Sequence, residues 1–171
     1  MKPSYPLYDR PDSFGWISII LHWIAAIALT VLWIMGKSVE FQPPDAIDAR
    51  RTLHTILGLV AWLPLALRIG WRLRLPHPRA PGQTDTIHRL AKLAHYGMLA
   101  TVAVMLVSGP VLAWALTNQI AMAGSVHRVH ESAATVLAIL VLLHIGAALK
   151  HLMFHNDETV ARIFIPRKSN F

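Results

Sequence analysis

The chain has 171 residues, of which 54 % are hydrophobic and 15 % charged, with a formal net charge of +7 and no cysteine. Soluble domains carry roughly 25 % charged residues, so this composition, with its positive mean hydropathy, reads as an integral membrane protein. The lack of cysteine excludes disulfides, thiolate ligands, iron–sulfur clusters and covalently attached c-type haem; the basic charge reads as membrane topology rather than affinity for nucleic acid.

The polar stretch Met1 to Asp12 is followed by no small-residue cleavage site, so it is not a secretory signal. The first predicted span covers residues 16–36. Trp16 to Met35 has no charged side chain and is long enough to cross a hydrocarbon core of about 30 Å. A second span, 53–71, contains Pro64 and is interrupted by Arg68; packed neighbours can satisfy the carbonyl that the proline frees. Residues 72–92, with Pro76, Pro78, Pro81 and Gly82, read as a turn-rich connector. The third span, 93–116, carries Gly109-Pro110, which predicts a kink. The short connection Thr117 to His127 leads to the fourth span, 131–154. The expected fold is therefore all-α, an integral membrane four-helix bundle with residues 1–171 as a single domain. Eleven basic residues lie beyond the spans on the side of the termini, counting Lys2, Arg10, the Arg72–Lys92 group and those from Lys150 onward. Only Lys37, Arg50, Arg51 and Arg128 lie opposite. The positive-inside rule then places both termini in the cytoplasm.

Four histidines fall into two pairs by depth. His130 and His144 are fourteen residues apart around Ser132 to Leu149, a stretch with no charged residue. Fourteen residues make four turns at the 3.5-residue period of packed helices, so both imidazoles face the same neighbours, about 21 Å apart along the axis. A histidine inside a membrane span is costly and reads as functional. His22 lies six residues after Trp16, and His144 six before Lys150, at matching inner depth. His54 and His130 open their spans on the outer side. His22 with His144, and His54 with His130, each join two helices, as axial ligation of a haem iron requires. The alternative of interhelical hydrogen bonding applies to any one of these residues taken alone. A tetrahedral zinc site does not fit two separated pairs.

Arg68 is fourteen residues after His54, at the depth of the inner pair. It is suited to a haem propionate, with snorkelling to the headgroups as the alternative. Arg72 continues that stripe. Arg51 and Arg128 read as loop charges. Gly58 and Gly146 are positions where a flat macrocycle can approach a helix, though small residues also pack helices. His95 either contacts a propionate or quinone, or is a polar helix end. His151, beside the connector bearing Arg74, either delivers protons to a quinone or is interfacial. His127 competes with His130, which keeps the fourteen-residue register. Trp16, Trp62, Trp71 and Trp114 read mostly as membrane-belt residues.

Taken in order, Ser18–Trp23, Leu53–Gly58, Leu67–Arg72, His130–Ser132, Leu143–Ala147 and the ending His155–Lys168 resemble the bacterial di-haem cytochrome b561 family over nearly the whole chain. The resemblance implies two haem b groups in a bacterial inner membrane, ligated by His22 with His144 and His54 with His130. It implies electron transfer between ubiquinone and an outer-face donor. One branch is similar to superoxide oxidases, for which Arg74 and His151 match positions at the quinone end. The other expectation is a non-enzymatic cytochrome b subunit passing electrons between quinol and a dehydrogenase, hydrogenase or periplasmic partner. The short third connection and the near-cancelling outer charges depart from the superoxide-oxidising pattern.

Overall fold

The computed structural model describes residues 5–10, 13–75, 84–154 and 160–166, apart from the side chains of His151 and Phe154. It consists of α1 (Trp16–Ser38), α2 (Ile47–Arg74), α3 (Asp85–Thr117) and α4 (Ala123–Phe154), with single 3₁₀ turns at Val39–Phe41 and Ala161–Ile163. No strand occurs among the described residues. All four helices are long and apolar enough to cross a membrane.

The helices run past the apolar stretches that predict them, because amphipathic ends continue them into the interface. α2 starts at Ile47 and α3 at Asp85, so residues 72–74 and 85–92 of the expected connector are helical. Its residues 76–83 lie outside the described residues. α3 starts where the Thr84 hydroxyl accepts the Ile87 N–H, an N-cap contact. It ends in a left-handed residue, Gln119 (φ 54°), with the Ile120 N–H on the Ala115 carbonyl, the arrangement that satisfies otherwise orphaned terminal carbonyls. α4 then begins at Ala123, so His127 is already helical.

Close backbone packing follows the chain, α1 on α2, α2 on α3 and α3 on α4. α1 and α4 are joined by side chains, among them Lys37 with Glu131 at 3.2 Å. The core is a thin layer of Ala25, Ala61, Leu65, Val102 and Leu137. Most other large apolar residues are exposed on the bundle surface, as a lipid-facing protein requires. Two of the expected belt tryptophans instead tie helices together. Pro110 lacks the N–H that would bond the Leu106 carbonyl, and Trp62 of α2 donates its indole N–H to that carbonyl at 2.9 Å. Trp71 donates to the Ser18 hydroxyl at 2.7 Å.

Both terminal segments fold onto the same end of the bundle. The Pro6 and Leu7 carbonyls accept from the Trp16 and Ile17 N–H groups, two of the donors that a helix start leaves open. Tyr8 stacks on Trp71 at 5.9 Å. A Cβ on Gly15 would strike the Leu7 carbonyl, so only glycine allows this close approach. At the other terminus, Trp23 donates to the Ile163 carbonyl at 2.9 Å and packs on Phe164.

Candidate functional site

Four positions, one per helix, repeat at seven-residue steps and divide the bundle interior into three layers. Seven residues are two turns of packed helix, so each step keeps the same face. Nearest the termini stand His22, Arg68, His95 and His144. Seven residues on, in either chain direction, come Leu29, Ala61, Val102 and Leu137, all part of the apolar core or packed on it. Another seven reach Gly36, His54, Gly109 and His130. Two polar layers are thus separated by an apolar one.

In the layer near the termini, the rings of His22 and His144 have centres 6.3 Å apart. In the far layer the centres of His54 and His130 are 6.4 Å apart. An imidazole nitrogen binds a metal at about 2 Å and the ring centre lies about 1.1 Å behind it, so two rings across one metal have centres about 6.3 Å apart. Both pairs meet that spacing. Each pair joins α4 to a helix against which its backbone is not closely packed, α1 for one and α2 for the other. No cluster of three or more His, Asp or Glu ligands exists among the described residues, so two-ligand sites are what the layers offer. Such sites suit a metal whose remaining positions come from a macrocycle.

The surroundings of the four rings differ. Arg68 places Nη2 3.3 Å from His22 Nδ1 and donates through Nη1 to the Ser18 carbonyl at 3.2 Å. It is therefore turned into the bundle at the His22–His144 pair, where the fourteen-residue interval from His54 puts it. His95 is half-buried beside His144, with ring centres 5.2 Å apart in an edge-on arrangement. That is shorter than two rings on opposite sides of one metal require, so His95 flanks His144 rather than opposing it. In the far layer, Ser108 Oγ is 2.9 Å from His130 Nδ1. His54 Nδ1 is buried and makes no hydrogen bond among the described residues.

The glycines that approach the rings are Gly36 and Gly109. A Cβ on Gly36 would lie 3.2 Å from His54 Cε1, and one on Gly109 would lie 3.4 Å from His130 Cε1. A Cβ on Gly58 would meet only Leu32, at 3.9 Å, and one on Gly146 nothing within 4 Å. A signal for Gly36 and Gly109 existed, since each lies fourteen residues from a histidine on its own helix. Ser108 had none, because an isolated serine in an apolar helix looks like any small packing residue.

Arg72 is 4 % exposed and is taken up by a buried pair with Asp9, with Phe14 beneath its guanidinium. It anchors the N-terminal segment. Arg74 closes α2 and is exposed. His151 lies on α4, and its side chain is outside the described residues. His127 is exposed, so His130 rather than His127 meets His54. On the far end, Lys37 pairs with Glu131 and Glu40, and Arg51 with Asp48.

A family profile described as prokaryotic cytochrome b561 matches residues 13–165. The chain is also 23 % identical, over 182 aligned positions, to cytochrome b561 homolog 2 of Escherichia coli (strain K12). That alignment covers 95 % of this chain and 97 % of the relative.

Proposed function

The chain belongs to the prokaryotic cytochrome b561 family, and from that premise we propose that it carries electrons across a bacterial inner membrane between two haem b groups. Membrane electron transfer through haem b is the family's activity. The observation that carries the two-site reading is the pair of ring separations, 6.3 and 6.4 Å, on either side of an apolar layer. When bound, each haem would supply a one-electron iron couple, with a pair of imidazoles holding it.

In this reading His22 and His144 hold the inner group and His54 and His130 the outer one, with both termini in the cytoplasm. Each imidazole ligates through one nitrogen while the other carries the proton. With the proton on His22 Nδ1, Arg68 would no longer donate to that nitrogen, and its guanidinium would be available to hold a carboxylate of the inner group. His95 flanks His144 and limits how far that ring can turn. Gly36 and Gly109 leave the outer rings their space. Arg74 and His151, near the end of the bundle that carries the termini, bind ubiquinone and pass it protons.

Superoxide is the proposed outer donor. Two superoxide anions each lose one electron to become dioxygen, and ubiquinone takes two electrons and two protons to become ubiquinol. Rapid mixing tests this: superoxide should reduce the bound haem and ubiquinone should reoxidise it, and no reduction by superoxide would remove superoxide from the account. One observation favours a second donor class. Lys37 and Arg51 are neutralised by Glu131, Glu40 and Asp48, which leaves little positive field to gather a small anion. A redox protein docking at the outer face, with the chain as its non-enzymatic membrane subunit, suits that balance, and co-purification of such a protein would support it.

A further inference from the structure

Between Leu106 and Pro110, α3 lacks one of its regular hydrogen bonds, because Pro110 has no N–H to offer the Leu106 carbonyl. Trp62 covers that carbonyl from α2. In the turn between them Ser108 points into the bundle. It is 6 % exposed, and its hydroxyl oxygen meets His130 Nδ1 at 2.9 Å. Its neighbour Gly109 supplies room for the same ring, since a Cβ there would press on His130 Cε1 and Nδ1 at 3.4 and 3.9 Å. One residue thus provides the polar contact and the next provides the space.

The partner ring is treated differently. Gly36 makes room for His54, but no side chain bonds the buried His54 Nδ1 among the described residues. A metal-bound histidine usually donates its second ring N–H to a partner, which selects the tautomer, orients the ring and makes it a stronger ligand. Of the two outer imidazoles, only His130 has a side-chain partner on Nδ1 among the described residues; beside His54 the polar neighbour is the Leu32 backbone.

We propose that Ser108 is a positioning residue for the outer haem. It accepts the Nδ1 proton of His130 and leaves Nε2 as the ligating nitrogen. This rests on the proposed haem ligation and goes beyond it, because it assigns the outer site an unequal pair of ligands. His130 is held by a hydroxyl and by the room beside Gly109, and His54 has no side-chain counterpart to Ser108. Loss of the Ser108 contact makes His130 a weaker donor to ferric iron and frees its ring to turn.

The test compares Ser108→Ala and Ser108→Thr in the full chain, using haem content, potentiometric titration and low-temperature electron paramagnetic resonance. The threonine variant keeps the hydroxyl. Ser108 itself borders a groove of about 590 Å³ lined also by Ala103, Val104, Val107, Val111 and Val129. Ser108→Ala should weaken outer haem binding by about 10- to 100-fold, raise the outer midpoint potential and shift the outer low-spin signal. The inner haem should not change, and Ser108→Thr should retain the wild-type outer signal. If wild-type protein binds two haems and Ser108→Ala leaves both signals unchanged, this inference fails while the haem reading stands. Equal disturbance by both variants, or equal disturbance of both haems, would make Ser108 a packing residue and overturn it. Wild-type protein without haem would overturn the ligation itself and this inference with it.

Discussion

Arg68 of α2 reaches across to α1, with Nη2 3.3 Å from His22 Nδ1 and Nη1 3.2 Å from the Ser18 carbonyl. A guanidinium turned inward at this depth is not snorkelling to the headgroups. It places a positive charge beside the inner histidine pair. Removing that charge favours ferric over ferrous iron, since the cation destabilises the more positive oxidation state. Arg68→Gln should therefore lower the inner haem midpoint and weaken inner haem binding by about 10-fold or more, with the outer haem unaffected. Redox titration of the purified variant reads both effects.

The glycines give a steric prediction with an internal control. Gly36→Ala puts a methyl 3.2 Å from the His54 ring, whereas Gly146→Ala meets nothing within 4 Å. Overpacking of this kind costs about 1–3 kcal/mol, while alanine in place of an unconstrained helical glycine gains up to about 1 kcal/mol. Gly36→Ala should lower outer haem content and thermal stability. Gly146→Ala should do neither. Haem assay and thermal unfolding in detergent distinguish them.

The positions that were legible in the sequence are those whose residue type is costly in a membrane. His22, His54, His130, His144 and Arg68 stand out because an apolar helix has no reason to contain them, and their spacing assigns them to common faces. Gly36, Gly109 and Ser108 belong to the same layers, yet small residues are ordinary in packed membrane helices. Their identity depends on which ring faces them, which is a tertiary fact. The four helices were legible from apolar length. Their ends were not, because residues such as Asp48, Arg50 and Arg51 continue α2 after the apolar pattern has stopped. The partner of Trp62 was illegible for a related reason: it is a carbonyl that only the position of Pro110 on another helix exposes.

That carbonyl supports a double-mutant test. Trp62→Phe removes the indole donor and leaves the Leu106 carbonyl unpaired, at a cost of about 1–3 kcal/mol. Pro110→Ala restores a backbone N–H for the same carbonyl. Trp62→Phe should then cost less in the Pro110→Ala background than in the wild type. Equal costs in thermal unfolding would mean that Trp62 acts only through its packing.

The Asp9–Arg72 pair is buried on both sides, with side-chain exposures of 0 % and 4 %. Removing one partner of a buried pair costs about 3–5 kcal/mol. Asp9→Ala should destabilise the bundle by an amount of that order and expose the N-terminal segment to proteolysis. Limited digestion of the variant beside the wild type checks this.

The central claim is that two histidine pairs at separate depths hold two separate haems. The direct measurement is haem stoichiometry with reduced-minus-oxidised spectra for the wild type, His144→Ala and His130→Ala. The account predicts two b-type haems in the wild type, loss of mainly the inner one in His144→Ala and of mainly the outer one in His130→Ala. A wild type without b-type bands, or equal loss of both haems in each variant, would contradict it.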